Sequence, residues 1–161
     1  MNKPGKETTL RSACSINYFV EIMGDKWSLL ILRDIIFWGK INPSQFRTSD
    51  EHIATNILSA RLVKLIDADI IQKNVDPADK RREKYHLTER GMGVVPILLN
   101  IMAWSNTFGP DNLKLSKALI NDFRDDPIKV VNEIEILLRA GSYVFSRKEW
   151  QPQTNNSDIN G

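Results

Sequence analysis

The segment Lys26–Phe37 carries Trp27, Leu29, Leu30, Ile31, Leu32, Ile35 and Ile36. At helical spacing these side chains cover almost the whole circumference, and a helix apolar all round belongs at the centre of its domain. Asp25 supplies an N-cap and Gly39 a stop. Whatever this chain folds into must therefore wrap that helix with amphipathic elements. Thr8–Met23 predicts one of them, with Ile16, Phe19, Val20 and Met23 on one stripe and Gly24 at its end.

The next thirty residues narrow the fold. Asn42-Pro43 opens a short helix to about Thr48, with Asn42 at the cap and Pro43 in the first turn. Ser49-Asp50-Glu51-His52 reads as a turn. A longer helix, Ala54–Ala68, turns Leu58, Leu62, Leu65 and Ile66 inward and leaves Thr55, Asn56, Ser59, Ala60 and Val63 outward. A short helix, a tight turn and a second helix with small polar residues on its outer face have the geometry of a helix-turn-helix, whose second helix can lie in the DNA major groove.

Ile70–Val75 and Tyr85–Leu87 then flank Asp76-Pro77-Ala78-Asp79 and Lys80-Arg81-Arg82-Glu83-Lys84, the pattern of a β-hairpin. A hairpin directly after a helix-turn-helix is a wing. Thr88 caps a further helix running through Val94, Val95, Leu98, Ile101, Met102 and Trp104 to about Phe108; Pro96 inside it predicts a kink, unless the helix effectively starts later. Past Gly109-Pro110, Asn112–Arg124 and Pro127–Ala140 predict two more amphipathic helices, lined by Leu115, Leu119 and Phe123 and by Val130, Val131, Ile134, Leu137 and Leu138. The tail 151–161 is polar and predicts disorder. The fold class is mainly α with a small β-hairpin: a winged helix-turn-helix (8–108) with added C-terminal helices (111–147).

Charge bears on partners. The 161 residues hold 22 Lys and Arg against 20 Asp and Glu, which excludes a uniformly basic nucleic-acid coat. The excess is local: residues 1–110 carry 15 basic and 12 acidic side chains, residues 111–161 carry 7 and 8. Lys80, Arg81, Arg82 and Lys84 cluster in the hairpin, where they form either a solvated basic turn or a set of phosphate or minor-groove contacts; their place at the wing tip favours the second. Arg61 is open in the same way, to a phosphate or to a nearby carboxylate.

Other chemistries find little support. The two histidines, His52 and His86, fall in different elements, with no phosphate loop, nucleophile elbow or metal constellation beside them, so neither an enzyme nor a cofactor is expected. Cys14 is the one cysteine; its alternatives are a small buried hydrophobe and a redox-reactive thiol. The N-terminus has no apolar core of a signal peptide, and the longest apolar stretches fall short of the ~18 residues of a membrane span. A cytoplasmic location and no membrane partner are the corresponding expectations.

Four motifs in order carry a resemblance. Cys14 precedes the first helix; Gly24-Asp25-Lys26-Trp27-Ser28-Leu29-Leu30-Ile31-Leu32-Arg33 follows G-x-K-W-x-x-x-I-L-R; Ile53-Ala54-Thr55-Asn56-Ile57-Leu58 leads to Arg61-Leu62; Tyr85-His86-Leu87-Thr88-Glu89-Arg90-Gly91 follows Y-x-L-T-x-x-G. From about Cys14 to Trp104 the chain resembles the HxlR-type winged helix-turn-helix transcriptional regulators of bacteria. The resemblance implies a homodimer on a roughly palindromic double-stranded DNA operator. Thr55, Asn56, Ser59, Arg61 and Lys64 would face DNA, with Lys80, Arg81, Arg82 and Lys84 positioning the wing. Ile16, Phe19, Val20, Met23, Leu98, Ile101 and Met102 would form the dimer interface. It also implies that Cys14 can sense oxidants or electrophiles. A regulator answering a small-molecule effector without a thiol switch, and a winged-helix interaction module without DNA, remain the alternatives. The family is usually shorter, so Asp111–Arg147 is an extension, and Pro43 stands where an aromatic residue is common.

Overall fold

The computed structural model describes residues 11–75, 79, 83–113, 116–146 and 149–150. The helices are α1 (Ser15–Met23), α2 (Lys26–Trp38), α3 (Pro43–Phe46), α4 (Thr55–Asp67), α5 (Glu89–Met92), α6 (Val95–Phe108), α7 (Lys117–Asp125) and α8 (Pro127–Arg139), with strands β1 (Ile71–Val75) and β2 (Glu83–Leu87) between α4 and α5. They divide into two compact units, Met1–Val94 and Val95–Gly161. The sequence break at Gly109-Pro110 is therefore not where the compact units part: α6 goes with α7 and α8, both of which pack on it.

In the first unit α2 is the central element, as its all-round apolar surface requires. Ile31, Leu32, Ile35, Ile36 and Phe37 are buried. Asp25 caps its start by accepting from the Trp27 and Ser28 amides at 3.1 and 2.9 Å. Gly39 ends it in the left-handed region at φ 63°, which a residue with a Cβ enters only at a cost. Leu58, Leu62 and Leu65 of α4 are buried, as are Phe46, Ile53, Ile70, Ile71, Tyr85 and Leu87.

Helix α1 is shorter than its periodicity predicts. Arg11–Cys14 are not helical, and Thr8–Leu10 lie outside the described residues. The Ser12 hydroxyl accepts from the Cys14 amide at 3.4 Å, a local bond that competes with a helical turn, and Cys14 itself is extended.

The hairpin pairs antiparallel in the register Ile71↔Leu87, Lys73↔Tyr85 and Val75↔Glu83. Its end is locked by Thr88, which accepts from the Gly91 amide at 3.0 Å and donates to the Asp69 carbonyl at 2.6 Å. A Cβ on Gly91 would stand 2.0 Å from the Ile70 carbonyl oxygen, so only glycine fits there. After Met92 the chain turns at Gly93-Val94, and Pro96 becomes the second residue of a new helix rather than a kink within an old one. There its missing N–H breaks no bond. The same break bears on Glu89–Phe108, a run long and apolar enough by composition to cross a membrane. Only the 14 residues of α6 form its continuous helix, about 21 Å against a bilayer core of about 30 Å.

In the second unit Ser116 and Asp126 cap α7 and α8 by accepting from the Leu119 and Lys129 amides. Helix α7 thus starts at Lys117, not Asn112; Leu115 lies outside the described residues. Leu98, Leu99, Leu119, Ile120, Phe123, Val130, Ile134 and Val144 are buried. Trp150 returns to α7, buried and donating from Nε1 to Asp122 Oδ2 at 2.6 Å. The expected disordered tail, 151–161, lies outside the described residues.

Candidate nucleic-acid interface

Helix α3 is short but strongly specified. The Gln45 amide donates to Asn42 Oδ1 at 3.0 Å while Gln45 Oε1 accepts from the Asn42 and Ile41 amides, a reciprocal capping box. It ends at Phe46, with Arg47 and Thr48 already in the turn. The Phe46 ring lies 6.4 Å from that of Tyr85, and the Tyr85 amide donates to the Ile41 carbonyl at 2.7 Å. The wing and the entry to α3 are thereby fastened together.

The turn between α3 and α4 is clamped to α2 by charge. Arg33 donates from Nη2 to Glu51 Oε2 at 2.9 Å and to Asp34 Oδ1 at 2.8 Å. Asp34 is buried, and it also accepts from the Ser49 hydroxyl and lies 3.4 Å from Lys40 Nζ. Lys40 in turn donates to Ser49 Oγ at 2.7 Å. A buried carboxylate is tolerated only when paired and hydrogen-bonded in this way. The Arg33 guanidinium beside Glu51 is the main reason its carboxyl is held down to about 2, against the opposing effect of burial. His52 completes the turn in the left-handed region at φ 51°.

A second clamp holds α4 directly. Arg61 Nε lies 3.1 Å from Asp25 Oδ1, an ion pair without aligned hydrogen-bond geometry, and Lys64 Nζ lies 3.6 Å from Asp25 Oδ2. Burial raises the Asp25 carboxyl, but bonds from the Ser28 hydroxyl and amide, with the two cations, outweigh it and leave the group below its ordinary range. One carboxylate thus caps α2 and orients α4. Both α4 cations expected at DNA are turned to this structural use, so of the two roles left open for Arg61 the carboxylate tie is the one formed.

With its inner face buried and its cations drawn to Asp25, α4 presents Thr55, Asn56, Ser59, Ala60 and Val63, all exposed. The Ser59 hydroxyl donates back to the Thr55 carbonyl at 3.0 Å. Ala54, the N-cap, has no side chain to satisfy the first amides. In the wing, Lys84 is exposed; Lys80, Arg81 and Arg82 lie outside the described residues. Lys73 pairs with Glu83 at 2.5 Å, and Glu83 accepts from the Tyr85 hydroxyl at 2.8 Å. Burial and that carboxylate push the Tyr85 phenol up to about 12. Burial, then the Lys84 charge, lower the His86 imidazole, so it stays uncharged near neutral pH.

Residues 22–112, more than half of the chain, match the sequence model of the HxlR-like helix-turn-helix family. The chain belongs to that family. An HTH-type transcriptional regulator of Synechocystis sp. is 34% identical over 53% of this chain and 63% of its own length. One from Methanothermobacter thermautotrophicus is 31% identical over 60% and 72%. Among solved structures, PA1607, described as a candidate transcription factor, superposes with a TM-score of 0.58 at 29% identity, covering 65% of this chain and 73% of that one. A MarR-family candidate regulator from Porphyromonas gingivalis gives 0.52 at 27% identity over 70% and 100%. The winged-helix fold of this HxlR-family chain agrees with these relatives, which are named as regulators.

The remaining expected residues are dispersed. Cys14 is exposed at the N-cap of α1. Three residues before it, Arg11 pairs with Glu21 at 2.5 Å. Of the expected dimer residues, Ile16, Val20 and Ile101 are exposed, and Phe19 and Met102 half-buried. Met23 and Leu98 are 5% and 6% exposed within the single chain, where the core holds them in place of a partner. Sequence periodicity does not reveal the Asp34 and Asp25 clamps. Arg33 sits within the family signature, but its partner Glu51, and the Ser49 that bonds to Asp34, come from a turn far along the chain.

Proposed function

We propose that this chain is a sequence-specific DNA-binding transcriptional regulator that acts as a homodimer on a palindromic operator. The carrying observation is α4: an exposed outer face, uncharged from Thr55 to Val63, held against α2 by the Asp25 ion pairs and preceded by a turn clamped through Glu51 and Ser49. Preorganisation of this kind lets a helix enter a major groove without ordering itself on arrival. Asn56 is suited to bidentate pairing with adenine, with Thr55 and Ser59 beside it. The free amides after Ala54 and the cations Lys80, Arg81, Arg82 and Lys84 supply phosphate contacts on either side. Arg61 and Lys64 support the helix rather than the contact.

The test is a band-shift titration across salt on duplexes selected from a random pool. Arg81→Ala/Arg82→Ala lowers affinity for all sequences alike and reduces the slope of log K against log salt by about two. Asn56→Ala leaves the slope and relaxes sequence preference, at about 1–3 kcal/mol for the matched site. Equal binding of wild type and both variants would sink the assignment.

A second reading concerns Cys14. Its exposure and its place at the start of α1 support a redox or electrophile switch acting between protomers, since one cysteine can pair only with a thiol from elsewhere. In that case mild peroxide changes operator affinity in wild type and leaves Cys14→Ser unmoved. An equal response of both proteins points instead to a regulator without a thiol switch.

A further inference from the structure

The outer face of α4 contains two apolar side chains that the proposed function does not yet use. Val63 is 57% exposed and Ala60 is also exposed. At helical spacing Val63 falls between Ser59 and Ala60 in angle, at the middle of the face bounded by Thr55 and Ala60. An exposed valine next to an alanine gains nothing for a helix in water, and valine is a poorer helix former than the charged residues usual at such positions. The residues that would read guanine are missing from the same face. Arginine and lysine are the usual partners of guanine O6 and N7, and those of α4 are held by Asp25. Asp67 stands one turn further on at the same side, exposed, where its carboxylate repels the phosphate backbone and bounds the contact.

We infer that Ala60 and Val63 form a ridge that reads the 5-methyl groups of thymine, so that the bases under α4 in each operator half-site are A·T pairs. The inference rests on the proposed DNA-binding role and names the sequence class it selects. From Thr55 to Val63 the helix advances about 12 Å, enough to follow roughly three base-pair steps along a groove. Asn56 takes adenine and the ridge takes thymine methyls. Among natural bases only thymine presents an apolar group in the major groove, so burial of that methyl against Val63 is the one contact the valine is built to make.

The experiment selects high-affinity duplexes from a random pool with the full chain, then resynthesises the best duplex with deoxyuridine in place of thymidine. Removing one buried methyl is expected to weaken wild-type binding roughly fourfold, and two about fifteenfold, at fixed salt. Val63→Ala should lose the penalty of the methyl under Val63, so that the two duplexes differ by no more than the roughly fourfold of a single methyl under Ala60. Any change in DNA shape caused by uracil persists in the variant and so cancels in the comparison. Because Val63 is exposed, the variant keeps its urea midpoint, which is measured alongside. Failure of the pool to converge on any sequence overturns the DNA-binding reading itself. Convergence on G·C pairs under α4, or a uracil penalty that Val63→Ala retains in full, leaves DNA binding standing and overturns the methyl ridge.

Discussion

Glu51 shows how one exposed turn residue can govern the placement of a helix. Its carboxyl lies at about 2, held down chiefly by Arg33, against an ordinary value of 4.5. A carboxyl lowered in the folded state adds stability that is fully present above the unfolded value and lost as pH falls through the folded one. The window here runs from 4.5 down to about 2. The difference in urea midpoint between wild type and Glu51→Gln should be constant from pH 7 to 5 and shrink towards zero at pH 2. Asp25, whose carboxyl is also lowered, titrates in both proteins and cancels in that difference. A difference that is the same at pH 2 and pH 7 would show that the Arg33 pair carries none of it.

The junction of the wing with α5 is closely packed. Thr88 bonds to Asp69 and Gly91, while the Ile70 carbonyl fills the space a Cβ at 91 would need. Gly91→Ala must push β1 or α5 aside, and such overpacking costs about 1–3 kcal/mol. We expect a lower urea midpoint and a loss of hydrogen-exchange protection centred on Ile70, Ile71 and Leu87. Exchange unchanged at those amides would mean that the joint yields without strain. The Tyr18 and Arg90 pair adds a second tie to α5, with the guanidinium donating to the phenol oxygen and lying 5.8 Å from its ring centroid.

The single chain leaves large apolar side chains uncovered in both units. On α6, Ile101, Trp104 and Phe108 recur at spacings of three and four and are exposed, Trp104 at 63% and Phe108 at 70%; on α1, Ile16 is exposed at 73%. Soluble proteins rarely expose such stripes without a partner. We take these side chains as support for the proposed homodimer, with Trp104 and Phe108 joining the residues expected from the resemblance. Trp104→Glu should sediment as a monomer at concentrations where wild type is a dimer, with helical content unchanged. Because two half-sites are then no longer linked, operator affinity should fall by a factor of about 10² or more. A dimeric Trp104→Glu variant would move the interface elsewhere.

The order of elements was legible in the chain because each is written in local chemistry. Asp25, Asn42 and Thr88 cap where caps were read, Gly39 stops α2, and the alternation of Tyr85 and Leu87 sets the buried face of β2. The outward face of α4 was legible too, since helical periodicity alone separates Thr55, Asn56 and Ser59 from Leu58, Leu62 and Leu65. What periodicity cannot state is which charge meets which. That Arg61 and Lys64 pair with Asp25, and that the chain itself buries Met23 and Leu98, appears only once α2 and the core are in place. The grouping of α6 with α7 and α8 is of the same kind. Caps, stops and faces depend on neighbours within a turn or two of the chain, whereas ion pairs and packing depend on residues that only folding makes neighbours.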